Sequence, residues 1–396
     1  MTRVAHRVLN VILAGCVLAA ALAAPATAAT EAVVYSFKGG SDGDGPTAGL
    51  INVGGTLYGT TYGGTTGCGT VFSVTQGGVE KVLHSFSCTE GTDGQNPAGG
   101  LIDVGGTLYG LTQSGGAFGA GTVFSITRAG FEKVLYSFGT SGGYDGGTPS
   151  GALINVGGTL YGVATNGGAN FLGTVFSVTP AGVENVLYSF TGKADGAGPV
   201  GGLIEVNGTL YGTTENGGGR CANSGCGTVF SVTLAGVETV LHAFAGSDGS
   251  IPVGSLVYIG GTFYGTTEAG GMFADCRSGC GTVFSLTPAG VEKVLHSFGG
   301  FPGGRAPYAS LLAIADQLYG TAEEGGAQPA AQKMGTVFSI TRGGPQAGVM
   351  KVLHSFFGTN DGADPYANVI DVGGTFYGTT SRGGAYGHGT VFKVTP

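Results

Sequence analysis

The sequence predicts an all-β protein, a seven-bladed β-propeller with four antiparallel strands per blade. Three observations carry this reading. The triplet Leu57-Tyr58-Gly59 returns, with Phe for Leu twice, at Tyr109, Tyr161, Tyr211, Tyr264, Tyr319 and Tyr377. A Gly-Thr-Val-Phe block ends at Phe72, Phe124, Phe176, Phe230, Phe284, Phe338 and Phe392. A Val-Leu-x-Ser-Phe type of block ends at Phe37, Phe86, Phe138, Phe190, Phe244, Phe298 and Phe356. The tyrosines are spaced 50 to 58 residues apart, the period of a repeated supersecondary unit.

The first copy shows why each unit is four strands. Leu50 to Val53 is a short strand, and Gly54-Gly55 is a hairpin signal because both residues accept positive φ. Thr56 to Thr61 is rich in β-branched and aromatic residues and forms the second strand. A Gly-rich loop follows from Tyr62 to Gly69. Thr70 to Thr75 is the third strand and Val79 to Phe86 the fourth. Later copies join these two by turns such as Pro180-Ala181-Gly182. A β-solenoid is the rival, but its parallel coils do not need tight Gly-Gly hairpins. No stretch beyond the N-terminal segment shows helical periodicity.

Apolar groups point to both faces of the second and third strands, as required when a sheet is sandwiched between two neighbours. The repeated tyrosines, alternating with Leu, read as inter-blade core. Gly59 and its equivalents mark close approach. Glu80-Lys81, Glu132-Lys133 and Glu292-Lys293 read as charges guarding an outer edge. The described motif order breaks at the two ends. Val33 to Phe37 is a fourth-strand block without its first three strands, and Val391 to Thr395 is a third-strand block without its fourth. The N-terminal strand is therefore expected to complete the last blade and close the ring.

Residues 1–29 are a different material. Arg3 and Arg7 precede an apolar run to Ala24, and Pro25-Ala26-Thr27-Ala28 supplies an Ala-x-Ala cleavage pattern. This is a secretory signal peptide, which leaves 30–396 as a single propeller domain. Leu13-Ala14-Gly15-Cys16 also resembles a lipobox, so lipid attachment at Cys16 is the alternative. No integral membrane segment remains after cleavage, and a monomer is expected. The chain carries 84 Gly and 14 Pro, about a quarter of its length, with formal net charge −8. Removing the signal takes away two positive charges and leaves −10. That balance excludes nucleic acid and anionic membrane as partners.

Six cysteines remain, and an even number in an exported chain reads as disulfides. Cys221–Cys226 and Cys276–Cys280 share top loops. Cys68 has no partner in its own loop, so Cys88, in the next loop on the same face, is assigned to it.

The combination of Leu-Tyr-Gly-Thr-Thr, Gly-Thr-Val-Phe, Val-Leu-x-Ser-Phe and Asp-Gly-x-x-Pro resembles the bacterial GloVer tandem repeat, from about Val33 to Pro396. The resemblance implies an exported repeat protein without an established activity, in a group whose members carry varied C-terminal anchoring segments. This sequence shows no such anchor before Pro396.

Binding belongs on the top face, where the loops from second to third strand and from fourth to next first strand meet. Asp42, Asp93, Asp145, Asp195, Asp248 and Asp361 open Asp-Gly-x-x-Pro motifs there, and Gly303 stands at the remaining position. A carboxylate ring around calcium is one reading. Repetition favours Asx-turns that bond local backbone. His84, His242, His296 and His354 alternate with Tyr136 and Tyr188 and read as half-buried packing. A functional site breaks repeat symmetry, which selects Arg220, Asp275, Arg277, Arg305, Tyr308, Glu323, Glu324, Arg382 and the loop residue His388. No catalytic triad, phosphate loop or cofactor motif is recognisable, so no cofactor, metal or catalytic residue is assigned. The sequence therefore favours a non-catalytic scaffold for a protein or glycan ligand. The alternative is a secreted propeller enzyme (lactonase, lyase or glycosidase) with an acidic top-face site.

Overall fold

The computed structural model describes the chain from residue 29 onward, except residues 65–66, 90, 92, 141, 220, 222–224, 274–275, 277–278 and 327–333. Seven antiparallel sheets form the blades of a β-propeller. In blade 1 the strands are Ile51–Val53, Thr56–Thr61, Thr70–Thr75 and Glu80–Ser85, in that order from the axis outward. Gly54 and Gly55 take φ +61° and +86° at the first hairpin, which suits the twist of the flanking strands. Blades 2 to 4 lengthen the inner strand with a Pro-containing segment, such as Gly94–Pro97. Proline is tolerated there because the inner strand is a sheet edge. The one helical element among the described residues is a 3₁₀ turn at Gly344–Gln346, inside a longer bottom connection.

The ring closes as the end motifs require. Thr30–Ser36 pairs with Thr390–Thr395, placing Val33 opposite Phe392 and Tyr35 opposite Val391. Blade 7 is thus built from both ends of the described chain.

Apolar core lies between blades, in seven clusters that each join consecutive blades. Tyr58, Val71 and Phe86 of blade 1 pack with Leu108, Phe124 and Ile126 of blade 2. The Phe ending each fourth strand meets the Gly-Thr-Val-Phe ring of the next blade edge to face. Phe86–Phe124 and Phe138–Phe176 have centroids 5.3 and 4.9 Å apart, the preferred geometry for such pairs. A β-carbon on Gly59 would lie 2.7 Å from the Phe72 ring, so the mid-strand glycine makes room for it.

The seams also carry backbone bonds. The residue before each motif proline adopts positive φ, including β-branched Thr148 and Ile251 at +52° and +59°. Left-handed backbone is costly for such residues. It aims their N–H groups across the seam, onto the carbonyls of Ala120 and Cys226 at 2.8 and 3.0 Å. Three disulfides pin the top loops. Cys68–Cys88, Cys221–Cys226 and Cys276–Cys280 have Cα atoms 5.4, 5.5 and 5.4 Å apart, within ordinary disulfide geometry.

Candidate functional site on the axis and at the blade seams

Small residues around the axis let the blades approach closely. A cavity of about 550 Å³ runs there, lined by all seven blades through residues such as Gly49, Gly99, Gly151, Gly201 and Gly254. Symmetry breaks at its top end. The residue after each motif proline is small or aliphatic in five blades but is Tyr308 and Tyr366 in blades 6 and 7. Both tyrosines line the cavity, with rings 5.3 Å apart. The fourth residue after the repeated second-strand tyrosine varies likewise. It is Glu215, Glu268 and Glu323 in blades 4 to 6, and Tyr62, Gln113, Thr165 and Ser381 elsewhere. The Tyr366 hydroxyl donates to Glu323, and Glu268 lies against the Tyr308 hydroxyl. Burial pushes both phenols up, and these carboxylate partners push them further. Burial, with repulsion from Glu268, raises the Glu215 carboxyl. Burial also raises Glu323, against the Tyr366 bond that favours its anion.

The structure thus brings Tyr308 and Glu323, two of the residues singled out in the sequence, to the axial mouth. Arg305 and Glu324 are occupied with each other, Nε to Oε2 at 2.6 Å. Arg382 pairs with Asp364 at 3.3 Å and His388 with Asp44 at 3.1 Å. Arg382, His388 and Asp44 line a neighbouring cavity of about 580 Å³ that also touches Tyr366. Arg220, Asp275 and Arg277 lie outside the described residues. Sequence reasoning missed Glu215, Glu268 and Tyr366. The signal was available, because stacking the seven copies at those two registers exposes the break.

A second arrangement recurs at the outer part of the seams. Each motif aspartate reaches back onto the N–H groups that follow the outer strand. Asp42 accepts from Lys38 N–H at 3.0 Å, and Asp145 from Gly139 and Thr140 N–H at 3.0 and 3.1 Å. The bonding is local, as expected, but it runs mainly upstream rather than forward as an Asx-turn. The outer-strand Tyr or His completes it. Tyr35, Tyr136 and Tyr188 donate to Asp42, Asp145 and Asp195 at 2.7, 2.7 and 2.9 Å. His242 and His354 meet Asp248 and Asp361 at 2.9 and 3.1 Å. Tyr and His interchange here because both bring a polar atom to a carboxylate while the half-buried ring packs edge to face on the following Phe, as His84 does on Phe86 at 4.7 Å, so the expected packing carries a polar contact as well. A β-bulge in each outer strand, as between Val82 and His84, aims the side chain.

The outer-strand glutamates correct a second reading. Lys81 is exposed, but Glu80 turns half-buried into the seam. Burial, reinforced by Asp42, pushes Glu80 up to about 7. Glu184 and Glu238 are likewise pushed to about 7, by burial and then by Asp145 and Asp195. For Asp195, burial alone would raise the carboxyl, but the Thr191 hydroxyl and N–H and the Tyr188 phenol hold it below the usual range.

A pH dependence follows. Between about pH 4.5 and 7 the folded chain holds protons on Glu80, Glu184 and Glu238 that the unfolded chain has released, so stability falls as pH rises through that window. The lowered Asp195 acts oppositely and removes stability only on further acidification. Melting temperature is therefore expected to decline from pH 5 to pH 8. Replacing Glu184 and Glu238 together by Gln should flatten the decline. An unchanged slope in that double variant would show that these carboxyls do not hold the protons.

Among the described residues no helix is long and apolar enough to cross a membrane. Two solved structures share the fold. A protein described as a 6-phosphogluconolactonase from Bacteroides uniformis is 17% identical, with TM-score 0.50 over 83% of this chain and 88% of that one. Puromycin hydrolase is 11% identical, with TM-score 0.53 over 86% of this chain and 50% of that one. At these identities the likeness is one of fold alone. No curated protein matches the sequence. The Gloeobacter/Verrucomicrobia repeat, however, matches at residues 21–144, 63–278 and 273–396. Those spans reach from the first repeated motif to the last, and the chain belongs to the Gloeobacter/Verrucomicrobia repeat family.

Proposed function

We propose that this is an exported, non-catalytic binding scaffold that takes a glycan at the axial mouth of its top face. One observation carries the reading. Glu215, Glu268 and Glu323 stand at one register in consecutive blades, Glu268 against Tyr308 and Glu323 against Tyr366, while the other blades carry uncharged residues there. A scaffold position is copied in every blade; a ligand contacts different blades differently. Carboxylates accept hydrogen bonds from sugar hydroxyls, and tyrosine offers both a ring face and a hydroxyl. Exposed aromatics on the surrounding top loops, among them Phe118, Tyr144, Phe171 and Tyr386, extend the apolar surface. Three disulfides and the Ala-x-Ala segment support export.

A glycan array followed by calorimetric titration tests this. Glu268→Gln and Tyr366→Ala are each expected to weaken the bound glycan about tenfold or more, since a charge-assisted hydrogen bond contributes about 1.5–3 kcal/mol. Binding that these variants leave unchanged would place the ligand elsewhere. The raised Glu215 and Glu323 carboxyls beside other acids favour one second reading, general-acid catalysis on a lactone or glycoside. Turnover of such substrates, lost in Glu323→Gln, would replace the scaffold reading.

A further inference from the structure

We propose that two seams, between blades 1 and 2 and between blades 4 and 5, are divalent transition-metal sites, formed by His84, Asp93 and Glu132 and by His242, Asp248 and Glu292. In each trio one imidazole nitrogen and two carboxylate oxygens lie within 4.8 Å of one another. An imidazole with two carboxylates suits Zn²⁺, Co²⁺ or Ni²⁺ rather than the all-oxygen shell of Ca²⁺.

The first seam gives the clearest geometry. His84 Nε2 and Asp93 Oδ1 are 3.5 Å apart, long for a hydrogen bond. That separation is close to the edge of a tetrahedron with metal bonds of about 2.0–2.1 Å. His84 Nε2 and Glu132 Oε1 each expose less than 1 Å²; the first has only the long contact to Asp93 and the second has no hydrogen-bond partner. Buried polar atoms are ordinarily partnered, and such orphans call for an explanation. A surface cavity of about 490 Å³ lined by Asp93 and Glu132 gives an ion a way in. In the second seam Glu292 Oε1 is buried and unpartnered too, but so are Glu80, Glu184 and Glu238 in the Tyr seams, so the imidazole and its distance to the carboxylates are what set these two seams apart.

The chain supplies its own controls. Between blades 5 and 6 both acids are lost together: Gly303 replaces the aspartate and Met350 the glutamate. The Met350 methyl lies 2.8 Å from where a β-carbon on Gly303 would sit, and His296 Nδ1 faces the Gly348 carbonyl at 3.3 Å instead. The acids therefore come and go as a pair. Where Tyr replaces His, as at Tyr136 and Tyr188, the phenol already donates to the aspartate and offers no imidazole lone pair.

Cobalt titration of the tag-free, chelator-stripped chain tests the proposal, with bound ion counted from the visible d–d absorption and by calorimetry. His84→Tyr and His242→Tyr copy an arrangement the same fold already contains at Tyr136 and Tyr188, and circular dichroism checks that they fold. Each single variant is expected to lose one equivalent of cobalt and the double variant two. A wild-type chain that binds no cobalt, or a folded double variant that keeps the wild-type stoichiometry, overturns it.

Discussion

A chain that lacks residues 30–38 is expected to melt roughly 5–10 °C lower than the intact chain, because one missing strand costs several kcal/mol and a transition in a domain of this size shifts by about 1–2 °C for each. The segment supplies the whole outer strand of blade 7, paired from Thr30–Thr395 to Ser36–Thr390. It also supplies Phe37, 0% exposed and packed edge to face on Phe72 at 5.0 Å. Phe37→Ala alone should cost about 3–5 kcal/mol, the usual loss for a fully buried ring. Differential scanning calorimetry measures both. A synthetic peptide of residues 30–38, added to the shortened chain, should restore part of the loss by mass action. An unshifted transition in the shortened chain would mean that the ring holds without its closing strand.

Gly99→Ala is expected to destabilise the protein by more than about 4 kcal/mol or to prevent folding, a range reached only by mechanisms such as overpacking and backbone strain. Gly99 sits on the axial wall with φ +124°, and a β-carbon there would lie 1.9 Å from the Gly151 carbonyl oxygen of the next blade. Gly151 in turn approaches Gly202, with a β-carbon position 2.4 Å from its nitrogen. Backbone meets backbone around the axis, so neither side can move aside without opening a seam. Gly105→Ala is the control. It also has positive φ, +60°, but nothing lies within 4 Å, so only about 1–2 kcal/mol is expected from the left-handed backbone. Urea titration of the two variants separates crowding from conformational strain. Equal losses would show that contact across the axis is not what selects glycine.

The architecture was legible because each blade repeats the same local instructions. The Gly54-Gly55 turn, the Thr56–Thr61 and Thr70–Thr75 strands and the ring closure follow from alternation and motif order alone. The seam chemistry was not legible. Glu80 follows the turn residue Val79 beside exposed Lys81, and only the pairing of blades shows that it faces Asp42 and Tyr35 rather than water. The bulge that aims His84 is likewise invisible in a pattern of single letters. The axial mouth fell between these cases. Tyr308 and Glu323 were found because they break the repeat, whereas Glu215 and Glu268 were overlooked because each looks ordinary within its own copy. Convergence of three blades on one axis is a property of the closed ring.

That ring has a consequence for how such a chain grows. The unit that recurs along the sequence runs from an outer strand to the third strand of the next blade, one strand out of step with the blade itself. A tandem duplication of that unit, inserted between any two copies, leaves the terminal half-blades untouched and still complementary. The number of blades is then governed by the angle at which neighbouring sheets pack, and the gene is free to be copied, shortened or shuffled in whole units while its two ends continue to meet.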